Sequence, residues 1–104
     1  MSTSGSIIMH DSNGDEIGNL YSHWDGDSFG EDVQAFVNTI RLTNGIIPNA
    51  QNIANGMSDL AAQVIAHFKT APGNYYMASR NEADQADYVY HLRLVDGKAK
   101  VTRK

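Results

Sequence analysis

The feature that most constrains this chain is a glycine turn near each end. Asn13-Gly14 lies between the apolar run Ser6-Ile7-Ile8-Met9-His10 and the segment from Glu16 to Ser22. Asp96-Gly97 lies between Ala86–Val95 and Lys98–Thr102. Asn-Gly and Asp-Gly accept the positive φ that two-residue hairpin turns require, so each predicts antiparallel pairing of its flanks. In the later hairpin Tyr88, Tyr90, Leu92 and Leu94 share one face, while Asp87, Val89, His91, Arg93 and Val95 share the other. Tyr88 and Tyr90 therefore read as core residues with tethered hydroxyls.

Between the hairpins the period changes from two to about 3.6. Phe29, Val33, Phe36, Val37 and Ile40 make one apolar stripe, and Ser28 and Glu31 stand at capping-box spacing before it. Asp32 and Arg41 suit the dipole of a helix over 29–43, with Asn44-Gly45 as its stop. Beyond Ile46-Ile47-Pro48, the residues Ile53, Met57, Leu60, Ala61, Val64 and Phe68 predict a second helix. Asn49 is its expected cap, and Ala71-Pro72-Gly73 ends it. Asn74 to Arg80 reads as a strand and Glu82-Ala83-Asp84-Gln85 as a polar turn. The expected fold is a single α+β domain over 1–104, ordered β-β-α-α-β-β-β. Its antiparallel sheet of about five strands carries two helices on one face.

Composition narrows the function classes. With 41% hydrophobic and 19% charged residues the chain is globular, and without cysteine it has neither disulfides nor thiol chemistry. No apolar run approaches the ~18 residues of a membrane helix. The start, Ser2-Thr3-Ser4-Gly5-Ser6, lacks the basic and apolar regions of a secretory signal, so a cytoplasmic setting, within a host cell, is expected. The net charge is −4, unevenly spread. Asp11, Asp15, Glu16, Asp25, Asp27, Glu31 and Asp32 all precede Arg41, the first basic residue. Lys98, Lys100, Arg103 and Lys104 crowd the end. This pattern disfavours binding to duplex DNA and favours an acidic half that stays solvated or docks on a basic partner.

Few residue patterns carry chemistry. Asp11-x-Asn13-x-Asp15 opens like a calcium loop, but Glu16 and Ser22 occupy the positions that need Gly and a bidentate acid. His10, His23, Asp25 and Asp27 lack metal-ligand spacing, and a structural corner around Trp24 explains the latter three better. No P-loop, dinucleotide fingerprint or nucleophile elbow occurs, so neither an enzyme nor a cofactor is expected. The remaining cluster is Tyr76, Arg80, Asn81, His91 and Arg93 on the late strands, with Arg103 and Trp24 as further candidates. Aromatic rings stack on bases, and Arg and His hold phosphates, so this set is the candidate ligand site.

The run Leu20-Tyr21-Ser22-His23-Trp24-Asp25-Gly26 and the strand Ala86-Asp87-Tyr88-Val89-Tyr90-His91-Leu92 resemble a pattern in small phage and prophage proteins. There an Asn-Gly hairpin leads to Tyr-Arg-His-x-Asp-Gly, often followed by Tyr-Pro-Glu-Gly, two helices and an acidic-Tyr-x-Tyr strand. Ser22 replaces the usual Arg, and Asp27-Ser28-Phe29-Gly30 replaces Tyr-Pro-Glu-Gly. The outline is similar to phage anti-defence proteins of the Thoeris anti-defence sponge type. That resemblance implies a homo-oligomer that sequesters a cyclic ADP-ribose isomer or cyclic oligonucleotide without cleaving it. The charge asymmetry supports a different expectation: an inhibitor that binds a host defence protein, in the manner of an anti-CRISPR protein, through its acidic first half.

Overall fold

The first hairpin forms where the Asn-Gly turn places it. In the computed structural model, which describes residues 3–104, β1 (Gly5–His10) turns into β2 (Glu16–Ser22). The Asp11 carboxylate accepts from the amides of Asn13 and Asp15, both at 2.9 Å, so the loop's acid serves the turn. There follow α1 (Gly26–Val37), β3 (Arg41–Thr43), β4 (Ile53–Asn55), α2 (Gly56–Phe68) and β5 (Tyr75–Met77). The chain ends with α3 (Arg80–Asp84), β6 (Tyr88–Val95) and β7 (Lys98–Arg103).

Five strands form one sheet in the order β5-β2-β1-β6-β7, and β3 pairs with β4 apart from it. Neighbours in the large sheet are antiparallel except β1 and β6, which run parallel. The α+β class stands, with a mixed sheet in place of a wholly antiparallel one. The long connection through α1 and α2 is what permits parallel pairing of the two terminal hairpins. Ile7, Met9, Leu20, Tyr90 and Leu92 pack against Phe29, Val33 and Val37 of α1 and Met57, Leu60 and Val64 of α2. Burial of each such side chain contributes about 1.5–3 kcal/mol. No helix among the described residues is long and apolar enough to cross a membrane.

Three local expectations are corrected. The first helix begins at Gly26 and ends at Val37, where Thr39 closes a tighter turn: its amide donates to the Phe36 carbonyl at 3.0 Å and its hydroxyl at 2.7 Å. Arg41 then lies in β3, opposite Ile53, instead of at a helix end. The Ser28–Glu31 box is absent, since the Ser28 hydroxyl donates to the Asp25 carbonyl. The second helix starts at Gly56, whose φ of 81° suits glycine, and Asn49 occupies a left-handed turn well before it. Finally, the expected polar turn at 82–85 belongs largely to α3, which carries the capping box, Ser79 with Glu82.

This third helix covers the sheet face opposite α1 and α2. The Ser6 hydroxyl donates to the Ala83 carbonyl at 2.6 Å, and β1 is consequently buried on both faces.

The exposed edge of the sheet at β7 is guarded by one side chain. Gln34 of α1 accepts from the Val101 amide at 2.7 Å and donates to the Ala99 carbonyl at 3.3 Å, as a neighbouring strand would. An unpaired edge is a template for association. Gln34→Ala is expected to cost about 1–2 kcal/mol and to promote self-association, read by urea unfolding and light scattering. A variant that remains as stable and as monodisperse as the parent contradicts this role.

Candidate functional site

The alternation of the strands decides which candidates meet. On the face covered by α3, register places Tyr76 opposite Tyr21, His91 beside Ile8, and Arg93 opposite Lys100. Arg80 and Asn81 begin α3 on the same side of the sheet. Arg103 lies opposite Tyr90, hence on the other face, where its guanidinium sits 4.5 Å from the Tyr88 ring. There it lines a groove with Asp27 and Gly30 of α1, so it does not join the candidate cluster. Trp24 lies in the corner after β2, half exposed, with its ring edge-on to His23 at 4.9 Å.

The corner has a structural explanation. The Asn74 side chain accepts from the Trp24 amide, the Asn74 carbonyl accepts from the His23 amide, and Ser22 donates to the Trp24 carbonyl. Asp25 adopts φ 57°, and Gly26 donates to the Thr3 carbonyl at 2.8 Å.

Helix α3 separates the rings from the cations. On its β2–β5 side lies a cleft of about 440 Å³ formed chiefly by Tyr21, Tyr76, Met77, Ala78, Glu82 and Gln85. Arg80, at the start of α3, pairs with Glu16 at the start of β2 and with Asp84, the latter at 3.0 Å. Lys104 reaches the same Asp84 at 3.7 Å. Arg80 holds the Asp84 carboxyl below the ordinary range, chiefly by hydrogen bonding. Arg93 and Lys100 form no ion pair among the described residues.

His91, expected at an exposed site, is instead buried at 7% exposure. Its Nδ1 lies 2.9 Å from Nε2 of His10, and His10 Nδ1 lies 3.0 Å from the Gly14 carbonyl. A carbonyl only accepts, so His10 Nδ1 carries a proton. The His10–His91 contact then requires that one ring present a lone pair to the other's N–H. His91 is pushed down to about 4, first by burial, then by the charge of Arg93, by His10, and by Arg80 and Lys104. No group of three or more metal-ligating side chains occurs among the described residues.

Four residues outside the candidate cluster complete this face: Tyr21, His10, Glu82 and Lys100. Lys100 was accessible in principle, because a two-residue Asp96-Gly97 turn pairs Val95 with Lys98 and therefore Arg93 with Lys100. His10 required the β1–β6 pairing, for which no local signal exists. Comparison with known protein families, with curated proteins and with solved structures returns no match to this chain.

Proposed function

We propose that the protein is a non-catalytic binder of a phosphate-bearing nucleotide, a cyclic ADP-ribose isomer or cyclic oligonucleotide, as its resemblance to phage anti-defence sponges implies. The observation that supports this reading is the Arg93–Lys100 pair, two like charges directly opposite each other without a carboxylate partner among the described residues. Such a pair is repulsive. A phosphate relieves the repulsion and accepts charge-assisted hydrogen bonds from both side chains. His91 lies under the same positive charge, so an anion bound there moves its titration upward from about 4.

The expected result is a melting temperature that rises with ligand concentration, followed by recovery of the intact nucleotide after heat denaturation. Arg93→Ala is expected to weaken binding by about tenfold or more while leaving the free protein's melting temperature nearly unchanged. A cleaved product, or indifference to every cyclic nucleotide tested, overturns the reading.

A second reading rests on α1. Asp25, Asp27, Glu31 and Asp32 are exposed around its start and form no ion pair among the described residues. An acidic surface of this kind suits docking over a basic channel of a host defence complex. Its signature is a stoichiometric protein partner from host lysate that salt releases.

A further inference from the structure

The cleft beside α3 differs in chemistry from the cationic half of the sheet. Its volume of about 440 Å³ lies within the ~300–1,000 Å³ of small-ligand sites. Two tyrosines on adjacent strands, with Met77 and Ala78, supply flat and apolar surface. Lys69, anchored on the Gly73 and Tyr75 carbonyls at 3.0 and 2.7 Å, stands 5.3 Å from the centre of the Tyr76 ring and steadies it.

Among the described residues Glu82 is the one charged side chain lining this cleft, so a phosphate is repelled from it. Its carboxylate is oriented in advance by the capping box: Oε1 accepts from the Ser79 amide at 3.1 Å, and the Glu82 amide donates to the Ser79 hydroxyl at 3.1 Å. The other carboxylate oxygen has no partner among the described residues. These hydrogen bonds hold the Glu82 carboxyl below the ordinary range, so it is an ionised acceptor at neutral pH.

We infer that this cleft binds an uncharged, planar nitrogen heterocycle with an N–H edge, a guanine-type nucleoside, its ring against Tyr76 and Tyr21 and its N–H donors on Glu82. Rings provide stacking with any base. A fixed carboxylate selects donors over acceptors, which favours guanine, whose N1–H and amino group are adjacent donors, over bases in which each donor stands beside an acceptor. The site stands apart from the proposed phosphate site across α3 and does not depend on it.

The test is titration of the full chain with guanosine, followed by backbone amide NMR. Saturable shifts are expected at Tyr21, Tyr76, Ala78 and Glu82, with uridine weaker by about tenfold. Glu82→Gln preserves the capping box, since Gln serves there as well as Glu, but removes the charged acceptor. That variant is expected to melt like the parent and to bind guanosine about tenfold more weakly. Unmoved cleft resonances, or undiminished binding by Glu82→Gln, overturn the inference. Pyrophosphate lacks a ring and is expected to leave these resonances in place whether or not it binds beside Arg93, so the two sites succeed or fail separately.

Discussion

Gly26→Ala is expected to lower the stability of the domain more than any other single change named for this chain, by about 4 kcal/mol or more. A Cβ at this position would stand 2.1 Å from the Ser4 carbonyl carbon, 2.2 Å from its oxygen and 2.5 Å from the Gly5 nitrogen. These are backbone atoms, and neither side has room to retreat. Ser4 is tied to Asp87 by its amide at 2.9 Å, and the Asp87 amide returns a bond to the Ser4 hydroxyl at 3.0 Å. Gly26 is held from the other side by the buried Tyr90 hydroxyl, which donates to its carbonyl at 2.9 Å. The start of α1 is thus pinned between β1 and β6, and moving it breaks bonds on both. A cost of about 4 kcal/mol or more is expected, a large part of the ~5–15 kcal/mol of a typical domain. Gly18→Ala is the control: its Cβ would meet only the flexible tips of Met77 and Met9, at 3.6 and 3.7 Å. That change is expected to stay within about 1 kcal/mol of the parent. Urea unfolding followed by circular dichroism compares the two. Equal stabilities would mean that the corner does not pack as described.

This close contact also bears on what the sequence can reveal. The proposed likeness to phage proteins leans on His23-Trp24-Asp25-Gly26, and Gly26 is required there by packing alone. The two glycine turns and the apolar stripes were legible because each is encoded within a few residues. The ends of α1 and α2 were not, because Arg41–Thr43 and Ile53–Asn55 find each other as a parallel pair across the intervening loop. Propensity has no term for such a partner. The capping box was misplaced for a related reason. Ser28-x-x-Glu31 and Ser79-x-x-Glu82 have the same local pattern, and the left-handed Asp25 starts α1 before the first can act.

The candidate site shows the same division. Alternation placed His91 and Arg93 on one face of their strand and Tyr88 and Tyr90 on the other, as the sheet has them. Counting back from the Asp96-Gly97 turn would also have put Arg103 opposite Tyr90, on the helix-covered face. No such counting locates α3, whose passage over β1 and β2 divides rings from cations. Nor does it bring His10 to His91, which lie 81 residues apart.

That histidine pair carries the second large effect, a loss of stability in mild acid. His91 titrates at about 4 in the folded protein against 6.5 when unperturbed. Below the upper value the unfolded chain takes up a proton that the folded protein refuses, so stability falls as pH falls. The contribution is complete above pH 6.5 and is lost progressively toward pH 4, by on the order of 3 kcal/mol in all. Burial explains the refusal first, and then the surrounding groups: Arg93 on its own strand, His10 on β1, Arg80 on α3, and Lys104 beyond β7, with Asp84 already engaged by Arg80 and Lys104. Glu82 and Asp84, both held low, give up their contributions only below about pH 4.5, so the window above it isolates the histidine. His91→Gln removes the titration while keeping a hydrogen-bonding partner for His10, and its stability is expected to be nearly flat between about pH 6.5 and 4.5. Urea unfolding across that range reads the slope, and the imidazole carbon shifts report which ring is protonated. A parent protein without the slope, or a His91→Gln variant that retains it, would show that the buried pair does not govern acid stability.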